Sequence, residues 1–104
     1  MTKLWLDDIR PCPDNWVHAK SVREAIRILE TGTVTHASLD HDLGEFAYDG
    51  GDGTALVDYM AESGNFPTVA IRVHSANPVG RSNMLSTIDR YGPYTNSGIA
   101  HRSI

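Results

Sequence analysis

Apolar positions in this chain fall in short runs separated by polar turns, and their period changes from run to run. Lys3 to Asp7 is a brief apolar run that stops at an acidic pair, Asp7-Asp8, and reads as a buried strand. Arg10-Pro11-Cys12-Pro13-Asp14-Asn15 is a loop, because two prolines two apart forbid helix. Trp16 to Ala19 fits a short second strand. Ser21-Val22-Arg23-Glu24 is a capping box, in which Ser21 and Glu24 each satisfy a free N–H. Val22, Ala25, Ile26 and Leu29 then recur at the spacing of one apolar helical face, and Gly32 is a natural stop.

Thr35 to Leu39 is the next strand, ending at Asp40-His41-Asp42. A loop rich in glycine and aspartate runs from Glu45 to Gly53, read equally as a lid or a solvated turn. Asp52 can cap a helix that carries Leu56, Val57, Met60 and Ala61 on one side and stops at Gly64. Thr68 to Val73 is a strand that leads into His74-Ser75. Ala76-Asn77-Pro78 opens a last helix, with Met84, Leu85, Ile88 and Tyr91 facing inward and Gly92-Pro93 ending it.

The order β, β, α, β, α, β, α is that of a parallel α/β layer, and right-handed crossovers make the simplest sheet order 2-1-3-4. The expected fold class is α/β, a flavodoxin-like three-layer sandwich with a short parallel sheet, truncated at the C-terminus. Residues 1–92 form the domain. Residues 93–104 form a tail, either a short extra strand or loosely ordered.

Composition narrows the function. A length of 104 residues is one domain. The formal net charge of −4 argues against bulk DNA binding, which needs a basic surface. It leaves room for a small phosphorylated ligand, since a metal can supply positive charge. One cysteine, Cys12, allows no internal disulfide. No stretch reads as a signal peptide or a membrane span, so the expected location is the cytoplasm. No Lys or Arg lies between His36 and Ile71, where Asp40, Asp42, Glu45, Asp49, Asp52, Asp58 and Glu62 all fall, which favours a cation site there.

In an open parallel sheet the C-terminal ends of the strands share one edge, and ligands bind at that edge. Three strands here end in polar groups: Asp7-Asp8, Asp40-His41-Asp42 and His74-Ser75. Adjacent carboxylates repel, and a divalent cation such as Mg²⁺ or Mn²⁺ resolves the repulsion. Asp7, Asp8, Asp40 and Asp42 are therefore candidate metal ligands, and Asp40 is also a candidate nucleophile. His41 and His74 are candidate proton-transfer groups, because an unperturbed imidazole titrates near ~6.5. Ser75 can hold a phosphate oxygen, Asn77 opens a helix N-terminus that favours anions, and Arg10 and Arg81 are placed as phosphate clamps. The plain alternatives are polar turns with Asx bonds, a histidine satisfied by a backbone group, and surface arginines. His18, His36 and His101 read as packing or tail residues, and Cys12 has no neighbour to activate it.

Three segments together resemble the cyclic-phosphate processing receiver domain family: Leu6-Asp7-Asp8-Ile9-Arg10-Pro11, Ser38-Leu39-Asp40-His41-Asp42-Leu43-Gly44 and Val73-His74-Ser75-Ala76-Asn77-Pro78. The resemblance runs from about Leu4 to Tyr91. It implies a fold derived from response-regulator receivers, with Asp7 and Asp8 as the acidic metal pair, Asp40 as the phospho-acceptor and Ser75 as the switch hydroxyl. A phosphorelay receiver also keeps a lysine on its fifth strand, and this chain has no lysine after Lys20. It has His41 and His74 instead.

The resemblance implies a metal-dependent enzyme acting on a cyclic phosphate, in a nucleotide signal or at an RNA end. The leading expectation is a metal-dependent phosphoesterase. The alternative is a non-catalytic module that binds a small phosphorylated or cyclic nucleotide, as an accessory or anti-defence factor of a phage or mobile element. A plain receiver is disfavoured by the missing lysine. A phosphatase of the haloacid-dehalogenase type would leave Asp7-Asp8 without a role.

Overall fold

Leu4 and Leu6 alternate with Lys3 and Trp5, and that alternation decides which side of the first strand meets the core. In the computed structural model, which describes residues 1–94, β1 spans Thr2–Leu6 and β2 Val17–Ala19. Helix α1 (Val22–Leu29) follows, then β3 (Val34–Leu39), a 3₁₀ helix (Gly44–Tyr48), α2 (Gly53–Ser63), β4 (Ala70–Val73) and α3 (Pro78–Tyr91). The sheet is wholly parallel in the order β2-β1-β3-β4. The expected sheet order is therefore found. The tail segment 95–104 lies outside the described residues.

The helix starts are set by the residues that cap them. Ser21 Oγ accepts from the Glu24 N–H at 3.2 Å, Asp52 Oδ1 from Thr54 N–H at 3.0 Å, and Asn77 Oδ1 from Gly80 N–H at 3.0 Å. Gly64 ends α2 in the left-handed conformation, φ 75°, that favours glycine. Part of the expected Glu45–Gly53 loop is the 3₁₀ helix. Its far end is pinned where Asp49 accepts from Ser21 Oγ and Arg23 Nε, each at 2.8 Å.

Strand register assigns the two faces. Leu4 and Leu6 pair with Ala37 and Leu39, which pair with Ile71 and Val73. This apolar face shares one core with Val22, Ala25 and Leu29 of α1, Leu56, Val57 and Met60 of α2, and Met84 and Ile88 of α3. The other face carries Lys3 and Trp5, paired with His36 and Ser38, which pair with Ala70 and Arg72. Trp5 is buried but stands outside that core. Its ring meets Trp16 edge-on, at 6.2 Å between centroids.

The described residues thus form two of the three expected layers. Crossover handedness explains why. The β2–α1–β3 and β3–α2–β4 connections advance across the sheet in one direction, so right-handed crossovers place both helices on the same face. The connection from β1 to β2 runs the other way, and a helix there would cover the opposite face. The chain instead has the loop 7–16, where Pro11 and Pro13 forbid one. Tyr91 also departs from expectation, at 56% exposed. The buried stripe of α3 steps by four through Gly80, Met84 and Ile88, and Tyr91 lies off that line.

Gly53, at the start of α2, packs against the strand-end segment of β3. A methyl group there would collide with the Asp40 carbonyl and come within 2.9 Å of Met84 Cε. Gly53→Ala should therefore destabilise the fold by about 1–3 kcal/mol despite alanine's better helix propensity, read as a lower urea midpoint at unchanged slope.

Candidate functional site

Asp7 closes β1 with its side chain fully buried. Its Oδ1 accepts from the backbone N–H groups of Ile9, at 2.8 Å, and Arg10, at 2.9 Å, which folds the chain into a tight Asx turn. Its Oδ2 accepts from His74 Nε2 at 2.9 Å and lies 3.5 Å from Arg10 Nη1. His18 Nε2 donates to the Asp7 carbonyl at 2.7 Å. Burial alone would push this carboxyl up. The two backbone N–H groups and His74 outweigh it and hold the pKa below the ordinary 3.8.

His74 follows β4 and has both ring nitrogens engaged. Nε2 faces the Asp7 carboxylate, and Nδ1 lies 2.7 Å from Ser38 Oγ. A neutral ring satisfies both contacts, with Nε2–H donating to Asp7 and Nδ1 accepting from the Ser38 hydroxyl; this tautomer is assigned from the network. The ring lies flat on Trp5, at 4.1 Å between centroids and 8° between planes. Burial depresses its pKa below 6.5 in spite of the Asp7 charge.

Asp40 follows β3 and is 8% exposed. Its N–H donates to the Leu6 carbonyl, so the β1–β3 ladder carries it to the same edge as Asp7. Burial and the Asp7 charge raise its pKa above 3.8, against hydrogen bonds from the His41 N–H and Ser75. Asp8 is half-buried, and its carboxylate accepts no hydrogen bond from any described residue. Gly44 (φ 54°) packs its backbone against Asp8, where a Cβ would stand 2.6 Å from Oδ2.

One oxygen each from Asp7, Asp8 and Asp40 lies within 4.8 Å of the others. They open on a cavity of about 270 Å³ lined by Asp7, Asp8, Ile9, Arg10, Asp40, Asp42, Gly44 and Ala76. All three donors are carboxylate oxygens, the hard ligand set that suits Mg²⁺ or Mn²⁺ and suits zinc or copper poorly.

The other expected residues divide. Arg10 and Asp42 line the cavity. Ser75 reaches Asp40 and accepts from the Asn77 N–H at 3.0 Å. Asn77 caps α3, and its amide lies 3.4 Å from both Asp42 oxygens. His41 does not line the cavity. Its Nδ1 lies 2.7 Å from Asp42 and its Nε2 3.4 Å from Asp52, with the ring packed on Gly80. His41 and Asn77 hold the Asp42 pKa below 3.8. Neither imidazole, expected as acid and base, is among the residues that line the cavity. Each is tied to carboxylates beside the cavity. Arg81 is also off the cavity wall.

Three contributors were not singled out from the sequence as site residues: Ser38, Trp5 and His18. Ser38 is in β3, two residues before Asp40, so strand alternation was the signal available for it. A comparison with family profiles matches residues 2–90 to the cyclic-phosphate processing receiver domain. No curated protein matches the chain.

The raised Asp40 pKa has a stability consequence with a defined sign. The folded state binds this proton more tightly than the unfolded state, so stability falls as pH rises through and above 3.8. Asp40→Asn should therefore raise the melting temperature of the metal-free protein at neutral pH. The gain should vanish once the pH falls below 3.8.

Proposed function

The chain belongs to the cyclic-phosphate processing receiver domain family, and from that membership we propose a metal-dependent phosphoesterase acting on a cyclic phosphate of a nucleotide or RNA end. The observation that carries this reading is the convergence of Asp7, Asp8 and Asp40 within 4.8 Å at the edge of one cavity. These three would hold Mg²⁺ or Mn²⁺. The cation, when bound, would supply Lewis acidity and a lowered water pKa.

The chain's own residues have separable tasks in this scheme. Asp7 is a prepositioned ligand, because its Oδ1 is fixed by two N–H donors and its Oδ2 is oriented by His74. Asp8, without a competing hydrogen bond, is the ligand freest to adjust. Asp40 brings an unfavourably buried charge that a cation would relieve. His74 acts as a positioning residue: Ser38 and Trp5 hold its ring so that Nε2–H points at Asp7. His41 likewise ties Asp42 to Asp52 and so sets the wall between β3 and α3. Ser75 sits beside Asp40, within reach of a phosphate oxygen near that carboxylate. No helix among the described residues is long and apolar enough to cross a membrane.

A second reading has its own support. No imidazole lines the cavity among the described residues, and a site without a free general acid can hold a phosphate ester without cleaving it. The chain would then capture a phosphorylated or cyclic nucleotide, as a sensor or a sponge.

Incubation with Mg²⁺ or Mn²⁺ and a panel of cyclic mono-, di- and oligonucleotides, followed by mass spectrometry, separates the two. The phosphoesterase reading expects a linear or dephosphorylated product that EDTA abolishes. Asp8→Asn and Asp40→Asn should each lower turnover by roughly 10²-fold or more with the fold intact by circular dichroism. Full activity in EDTA or in either variant would reject it. Tight binding with intact ligand recovered favours capture.

A further inference from the structure

Arg10 shares the cavity wall with four carboxylates, those of Asp7, Asp8, Asp40 and Asp42, and is the one cationic side chain there among the described residues. Its Nη1 donates to the His74 carbonyl at 3.1 Å. The same nitrogen lies 3.5 Å from Asp7 Oδ2 and 4.0 Å from Asp40 Oδ2. These are loose contacts, longer than the paired bonds a guanidinium makes when it grips a carboxylate face-on. Nε and Nη2 make no hydrogen bond to a described residue. The side chain is 45% exposed, so it has room to turn.

We propose that Arg10 is an exchangeable counter-cation: it offsets the acid cluster while no metal is bound, and turns from Asp7 and Asp40 to the ligand's phosphate when a divalent cation takes its place. The inference rests on reading the cavity as a cation and phosphate site. Crowded carboxylates repel one another and a nearby positive charge offsets this; Arg10 Nη1 is the cationic nitrogen that lies beside both Asp7 and Asp40. A divalent cation held by the same carboxylates would repel the guanidinium across a few ångströms. Arg10 then has two unused donor nitrogens in the planar fork that suits a phosphate. Its backbone stays fixed throughout, because its N–H is held by Asp7 Oδ1. Only the side chain has to move.

The exchange predicts opposite effects on two affinities, which a purely structural role would not produce. Mn²⁺ binding is titrated by the electron paramagnetic resonance of the free ion, at fixed pH and low salt. Inorganic phosphate binding is titrated by calorimetry at saturating Mn²⁺. Arg10→Gln should bind Mn²⁺ about tenfold more tightly than the wild type, because a competing charge is gone, and phosphate about tenfold more weakly. Arg10→Lys, which keeps the charge but loses the fork, should leave Mn²⁺ affinity near the wild-type value and still weaken phosphate. Arg27→Gln, on the exposed side of α1, removes the same net charge and should shift neither affinity by more than about twofold. If Arg10→Gln binds Mn²⁺ no better than the wild type, including the case where neither binds it, the exchange is wrong. A parallel loss of both affinities overturns it as well. Turnover that survives EDTA would sink the phosphoesterase reading and leave the Mn²⁺ comparison standing, so the two failures can be told apart.

Discussion

The buried carboxylate of Asp7 is the junction on which the site end of this fold depends. Its oxygens gather the Asx turn after β1, the imidazole after β4 and the guanidinium of Arg10, and its carbonyl holds His18 of β2. A carboxylate with no exposed surface is tolerated only when hydrogen bonds replace its lost hydration; here Oδ1 has two backbone donors and Oδ2 has His74, with Arg10 as a looser fourth contact. Once Asp7 is fixed, the β1–β3 ladder sets Asp40 beside it, and the turn sets Asp8 and Arg10 around the same opening. The cavity is thus a by-product of satisfying one buried acid. Its chemistry comes from the acids that could not be satisfied in the same way.

Asp7 and Asp40 show how one environment pushes two like groups apart. Both are buried, so both lose hydration. Asp7 recovers it through backbone N–H donors and ends with a depressed pKa, while Asp40 faces the Asp7 charge with fewer donors and ends with a raised one. The pair holds an electrostatic imbalance that internal hydrogen bonds leave in place. Folding stability is given up at the spot where a ligand would return it, the pattern expected of a binding site more than of a structural ion pair.

What the sequence disclosed follows the range of each interaction. Caps at Ser21 and Asp52, the opening of the last helix at Ala76-Asn77-Pro78, the four-stranded order and the shared edge for Asp7, Asp8 and Asp40 were all legible, because they depend on short-range periodicity and handedness. The states of His41 and His74 were not. Each depends on partners that meet it only in three dimensions: Ser38 and Asp7 for His74, Asp52 and Gly80 for His41. A histidine at a strand end looks the same in sequence whether its nitrogens are free or spent. The second sheet face, which no helix among the described residues covers, lies between these cases. Pro11 and Pro13 already excluded a helix from the one connection able to supply it, but that follows only once crossover direction is considered for each connection separately. Tyr91 was misplaced for a subtler reason, the choice between steps of three and four along α3.

The flat stack of Trp5 on His74 extends the influence of the site to an optical property of the protein. The chain has two tryptophans, and they meet edge to face within this cluster. Indole emission is sensitive to the protonation and orientation of an imidazole in van der Waals contact. Whatever draws on the Asp7 carboxylate must perturb the ring bonded to it, and that ring lies against the chromophore. Native indole emission would then report on the acid cluster, with no label to attach and no substitution to make.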